Sequence, residues 1–282
     1  MTGVKALCAQ SALYDALARA RSRVEASAFM AAPDFRHALE DAARRGVAVT
    51  LRLCGRQPAD GEPVAALAAQ AAAMRAAGVR VVMDDGARIR HLKAVVIDDR
   101  EAFLADRNFA RDETLVRTDD VRAVTRAIVR GSARSRDVLL DEKGRVLRLE
   151  ADLVSAAPPG TDVLAVTEYA GPSLLARALL ERAGDVHATL VVGRAGSAMP
   201  LEAETLADLA AHGVRVVIAN TAEKGICVGD IAIVTSANAT PGQPSMSEWA
   251  ARFDGVQART LRDHFAQIAA RASERKTRCV LE

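Results

Sequence analysis

Gly78-Val-Arg-Val-Val82 returns as Gly213-Val-Arg-Val-Val217, and the repetition extends outward in both directions. Upstream, Val49-Thr-Leu-Arg-Leu-Cys-Gly-Arg56 resembles Ala188-Thr-Leu-Val-Val-Gly-Arg194, and before these Ala38-Leu39 and Ala178-Leu179 fall in matching helical patterns. Downstream, Lys93 and Asn108 have counterparts in Lys224 and Asn238. Several features in one order, at a nearly constant offset, mark an internal repeat rather than a chance pentapeptide.

Each copy alternates strand and helix. Residues Val24 to Met30 alternate loosely between apolar and polar, as a half-buried strand does. Pro33-Asp34 opens a helix with Asp34 as the expected N-cap. Phe35, Ala38, Leu39, Ala42 and Ala43 share one helical face, and Gly46 is the stop. Val47–Cys54 reads as the next strand, Val64–Ala77 as a helix and Val79–Met83 as a strand. This order predicts an α/β fold of two similar modules, each a mixed, mostly parallel sheet flanked by helices. The modules are placed at residues 1–150 and 151–282, with Pro158-Pro159-Gly160 near the boundary. Residues 122–149 read as a helix and a turn around Asp141–Gly144 that bridges them.

The bulk composition is that of a globular protein: 282 residues, 50% hydrophobic, 26% charged. Aromatics make up only 3%, which leaves little for stacking on nucleic-acid bases. Net charge is +2, with a mildly basic first half and a mildly acidic second. Four cysteines, none in a CxxC pair, read as reduced thiols and point to a cytoplasmic location. No run reaches the ~18 apolar residues of a membrane span, and no secretory signal opens the chain. No metal-ligand spacing is present, so neither a metal nor another cofactor is expected. Arg122–Arg136, with Arg126, Arg130 and Arg134 four apart, reads as a solvated helix face. His37 falls off its helix's apolar stripe and reads as a surface residue.

The chemistry concentrates in Ile89-Arg-His-Leu-Lys-Ala-Val-Val-Ile-Asp-Asp99. His91 and Lys93 are two apart on an expected strand, so both point to one face. Asp98 and Asp99 make a hairpin turn, in which Asp98 is a structural residue. The return strand Glu101–Ala105 leads to Asp106-Arg107-Asn108. A His, a Lys and an Asn gathered this way suit a phosphate. The imidazole can attack phosphorus or carry a proton. The ammonium and the amide can hold non-bridging oxygens as charge builds.

His91, Lys93 and Asp98 form an uninterrupted HxKxxxxD, and Asn108 follows. This pattern resembles the phospholipase D superfamily, where it normally continues as Gly-Ser-x-Asn. Here that element reads Ala105-Asp106-Arg107-Asn108. In the second copy Thr235-Ser236-Ala237-Asn238 resembles Gly-Ser-x-Asn, and Lys224 takes the motif Lys position. Ala222 stands where the His belongs, and Asp230 comes one residue late. The resemblance implies two modules about a pseudo-two-fold and a phosphohistidine at His91. It makes Lys93 and Asn108 partners of the catalytic His and Glu113 its orienting residue. Lys224, Ser236, Asn238 and Glu248 are the phosphate-binding set, Glu248 lying where the orienting Glu of the second copy belongs.

The function these features imply is metal-independent hydrolysis or transfer of a phosphodiester: a lipid headgroup, nucleic acid or small diester. The alternative is a catalytically impaired protein of this type that binds a phosphate-bearing ligand or partner, since the second His is missing. The resemblance also leaves open a homodimer in which each chain supplies a His91.

Overall fold

The computed structural model describes residues 5–55, 64–84, 90–109, 114–135, 138–194, 197, 199–241 and 246–280. The chain forms two compact units. The first holds residues 1–142 together with 245–249, and the second holds 143–244 with 250–282.

In the first unit the elements are β1 (Lys5–Cys8), α1 (Gln10–Arg19), β2 (Arg23–Ala28), α2 (Pro33–Arg44), β3 (Ala48–Cys54), α3 (Val64–Ala76) and β4 (Arg80–Asp84). They continue as β5 (Ala94–Ile97), β6 (Glu101–Ala105), β7 (Leu115–Thr118), α4 (Val121–Arg130), β8 (Ala133–Arg134) and β9 (Val138–Glu142). The main sheet orders β1-β7-β6-β5-β2-β3-β4. Strands β2, β3 and β4 are parallel, joined by helical crossovers, while β5, β6 and β7 are antiparallel. One sheet face presents Val24, Ala26, Val49, Leu51, Leu53, Val95 and Phe103 to Leu13, Leu17, Phe35, Leu39 and Met74 of the helices. Helix α4 lies against β2, β5 and β6 with Val124, Ala127 and Ile128 buried.

The second unit contains α5 (Lys143–Ser155), β10 (Asp162–Thr167), α6 (Leu174–Arg182), β11 (His187–Gly193), α7 (Pro200–Ala211), β12 (Arg215–Ala219), β13 (Gly225–Val228), β14 (Ile231–Thr235), β15 (Ser247–Asp254) from residue 250 onward and α8 (Gly255–Val280). Its strands order β12-β11-β10-β13-β14-β15. Here β10, β11 and β12 are parallel and β13, β14 and β15 antiparallel. Strand by strand this repeats β4-β3-β2-β5-β6-β7. Helices α5 and α6 pack on each other, and α8 packs on β10, β12, β13 and β14.

Several local expectations need correction. Ala32, not Asp34, occupies the N-cap of α2. Pro33 starts the helix with its φ preset, and Asp34 favours the first turn through the helix dipole. Residues 122–149 hold α4, the paired strands β8 and β9 and most of α5, and the turn expected at Asp141–Gly144 is the junction where β9 ends at Glu142 and α5 begins at Lys143. Arg134 therefore leaves the helical arginine row. The boundary expected after residue 150 falls inside α5, which lies whole in the second unit.

The hairpin turn between β5 and β6 has both central residues left-handed, Asp98 at φ 51° and Asp99 at φ 53°. This matches the twist of paired strands. Asp98 also ties the turn to the start of β2. Its Oδ1 accepts the N–H groups of Ser22 and Arg23 and the Ser22 hydroxyl, and its Oδ2 accepts the Arg21 N–H at 2.9 Å. Burial acts to raise its carboxyl, but the backbone donors of Arg23, Ser22 and Arg21 and the Ser22 hydroxyl outweigh this. They hold it well below the usual carboxylate range. Asp98→Ala is expected to lose about 1 kcal/mol of stability, the exposed position limiting the effect. Because the folded pKa is depressed, the contribution is complete above the unfolded value near ~4 and disappears as pH falls below it. Urea midpoints of wild type and variant should therefore converge below that pH. A constant gap down to pH ~2 would show that the charge is irrelevant.

Candidate active site

The register Ser27↔Ala94 of β2 and β5, carried past the strand ends, brings Phe29 and Met30 beside the segment 91–93. His91 and Lys93 lie just before β5 rather than within it. The Phe29 ring meets the His91 ring edge-on, with centroids 5.3 Å apart. Lys93 is buried, and its Nζ lies 2.7 Å from His91 Nδ1 and 2.8 Å from Nε2. Asn108 Oδ1 accepts the Met30 N–H at 3.2 Å, fastening the end of β2. The next residue, Phe109, has φ 59°, a strained value for a bulky side chain. Stacking on Phe35 at 4.1 Å and donation from the Tyr14 hydroxyl to the Phe109 carbonyl at 3.1 Å hold it there. Asn108 is thus presented by a tightly determined backbone.

Residues 246–249 complete this site within the first unit. Glu248 is 2% exposed and its Oε1 lies 2.8 Å from His91 Nδ1. A carboxylate only accepts, so in the tautomer that bonds Glu248 the proton sits on Nδ1 and Nε2 keeps its lone pair, which makes Nε2 the ring atom able to accept from the Lys93 ammonium. Ser247 Oγ accepts the backbone N–H groups of His91 (3.0 Å) and Leu92 (3.2 Å), fixing the main chain under the imidazole. Trp249, fully buried, donates its indole N–H to the Ala105 carbonyl at 2.7 Å. Ala105 in turn donates its N–H to the Lys93 carbonyl at 3.0 Å.

This corrects the role expected of Glu248. Grouped from the sequence with the phosphate-binding residues of the second copy, it is instead the hydrogen-bond partner of His91. A buried carboxylate would also repel a phosphate. Glu113, expected to orient His91, lies outside the described residues. Ser247 and Trp249 were not anticipated.

In the second unit Lys224 is buried, donates to the Ala222 carbonyl at 2.7 Å and pairs with Glu168 Oε2 at 3.3 Å. Asn238 Oδ1 accepts the Tyr169 N–H at 3.3 Å, as Asn108 does for Met30. Ser236 is fully buried. A Cβ at Gly193 would fall 2.6 Å from the backbone oxygens of Glu168 and Thr221, so only glycine lets the end of β11 come this close to both. Ala222, two residues before Lys224, brings no imidazole to the motif His position. His264, which the sequence pattern did not flag, bonds Glu223 Oε2 at 2.7 Å through Nε2. That bond raises its pKa against partial burial. His37, His187 and His212 are exposed. Among the described residues no group of three or more His, Cys, Asp or Glu could hold a metal ion. No described helix is long and apolar enough to cross a membrane.

Neither family models nor curated protein sequences match the chain. Solved structures do. Polyphosphate kinase from Porphyromonas gingivalis superposes with a TM-score of 0.66 at 17% identity, over 94% of this chain and 50% of that one. The chain therefore spans about half the length of that kinase. Phosphatidylserine synthase from Haemophilus influenzae Rd KW20 gives 0.62 at 12% identity, over 95% and 86%. The fold is phospholipase D-like. Yeast tyrosyl-DNA phosphodiesterase, in its H432N mutant, shares it at a TM-score of 0.53 and 11% identity, over 89% and 90%. At these identities the likeness concerns the phospholipase D-like fold: two mixed sheets, each flanked by helices.

Proposed function

We propose that the protein hydrolyses or transfers a phosphodiester through covalent attack by His91. The observation that carries this reading is the 2.8 Å bond from His91 Nδ1 to the buried Glu248 carboxylate. It leaves Nε2 as the nucleophile and lets Glu248 share the positive charge that the ring gains on attack. The Nε2–phosphorus bond forms as one phosphorus–oxygen bond breaks, and the leaving group departs with that electron pair. Water or an alcohol then attacks phosphorus, and the Nε2–phosphorus bond breaks. Lys93 accompanies this course. Its ammonium rests against the imidazole, and the non-bridging oxygens of a bound diester would draw it off the lone pair. Asn108 supports the same end of β2.

A second reading is favoured by one pair of observations. Ala222 stands at the second motif His position, and Lys224 is already neutralised by Glu168. A protein with these features would bind a phosphate-bearing ligand or partner without turning it over.

Bis-p-nitrophenyl phosphate in EDTA separates the two, because p-nitrophenolate leaves without needing a proton. The first reading expects release of p-nitrophenolate in EDTA. It also expects a p-nitrophenylphosphoryl adduct, stable in alkali and lost in acid, mapped by mass spectrometry to His91. Turnover without an adduct at His91 would overturn the covalent route. No turnover between about pH 5 and 8, the range in which imidazole changes charge, would favour the binding protein.

A further inference from the structure

A groove of about 830 Å³ runs along α4 in the first unit, away from His91, Lys93 and Asn108. Arg100, Arg122, Arg126 and Arg130 line it, with Thr125 and Val129 between them. None of these four guanidiniums has an ion-pair partner among the described residues. Arg23, Arg36, Arg44, Arg90 and Arg117 of the same unit do. Three carboxylates also line the groove. Asp119 and Asp120 sit at the N-terminal end of α4, where the helix dipole favours them. Asp99 is 3.9 Å from Arg23.

Arg122, Arg126 and Arg130 follow one another every fourth residue, so they share a helix face and advance by about 6 Å each. Like charges at this spacing destabilise a helix. No described acidic side chain pairs with them to offset the repulsion, and a bound polyanion would. The lining alternates charge with apolar surface. Val129, 46% exposed, and the Thr125 methyl lie between the arginines. That alternation matches a chain in which phosphates are separated by sugars. Directly linked phosphates are more closely spaced and offer no apolar surface. No aromatic ring lines the groove, so bases would not stack on it.

We propose that this groove on α4 binds the sugar–phosphate backbone of a single nucleic-acid strand, by charge and without regard to sequence. The site is separate from the His91 chemistry and does not depend on it.

The test is fluorescence anisotropy of a labelled, mixed-sequence single-stranded oligonucleotide on the full chain, over a range of salt concentrations. Four phosphate contacts predict a slope of log K against log salt near −3. The variant Arg122→Gln/Arg126→Gln/Arg130→Gln should bind at least ~10-fold more weakly at low salt, with the slope reduced by about 2. Gln keeps the helix propensity, and far-UV circular dichroism checks the fold. Hydrolysis of bis-p-nitrophenyl phosphate should be the same in variant and wild type, whatever its level. A second triple variant, Arg177→Gln/Arg215→Gln/Arg252→Gln, removes the same charge from exposed positions of the second unit and should bind as wild type. Equal loss in both triple variants would overturn the site. So would absence of binding at low salt, or displacement of the oligonucleotide by inorganic polyphosphate at lower concentration than by unlabelled strand.

Discussion

Hydrolysis of bis-p-nitrophenyl phosphate is expected to fall to background in His91→Ala and by about 10²- to 10⁴-fold in Glu248→Gln. The Ala variant removes the only described imidazole that touches both a buried Lys and a buried carboxylate. The remaining histidines are exposed or, for His264, engaged with Glu223. The Glu248 variant discriminates more finely. Gln matches Glu in shape, so packing around a residue 2% exposed is retained. Its amide can turn its oxygen to the Nδ1–H, keeping the tautomer but losing the charge that stabilises a positive ring. It can turn its nitrogen instead, forcing the proton onto Nε2 and removing the nucleophile. Either way turnover drops while the fold stays. Measured together, kcat should carry the loss and KM should change little, because Glu248 bonds the imidazole and not the diester. Wild-type turnover in Glu248→Gln, with His91→Ala inactive, would mean that the 2.8 Å bond has no part in catalysis.

The repeat told most of the fold, because β10 to β15 copy β2 to β7 in order and direction, and apolar periodicity records such elements directly. His91, Lys93 and Asn108 were legible because a short loop and one hairpin connect them. Glu248 was found but given the wrong partner. A match between two copies aligns residues by offset, whereas residues 246–249 pack in the first unit. No linear pattern records that placement. Ser247 was invisible for a related reason: its role is to accept two backbone N–H groups, which leave no mark in residue type. Glu168 was missed because only the register Val166↔Gly225 brings the end of β10 beside Lys224. Phe109 looked like ordinary core until its left-handed backbone was seen. The arginine row was read correctly as a helix face, but its length depended on where α4 ends, and Gly131 at φ 89° ends it before Arg134.

Trp249→Ala is expected to cost about 3–5 kcal/mol, a large share of the roughly 5–15 kcal/mol that holds a domain together. Trp249 is fully buried, so truncation leaves a cavity as well as losing apolar contact. It also leaves the Ala105 carbonyl without the indole donor. Trp249→Phe keeps most of the ring and should cost only about 1–2 kcal/mol, chiefly for that donor. Urea titrations followed by circular dichroism can compare all three proteins, whereas fluorescence cannot, since Trp249 is the only tryptophan. Fluorescence serves a different purpose in the wild type. A single buried indole, next in sequence to Glu248, reports whether the start of β15 is seated. If that strand is what positions Glu248 on His91, loss of the buried emission should coincide with loss of hydrolysis as urea is raised. If activity outlasts the buried emission, Trp249 stabilises the unit without supporting the site. A wild-type urea midpoint for Trp249→Ala would remove the structural role as well.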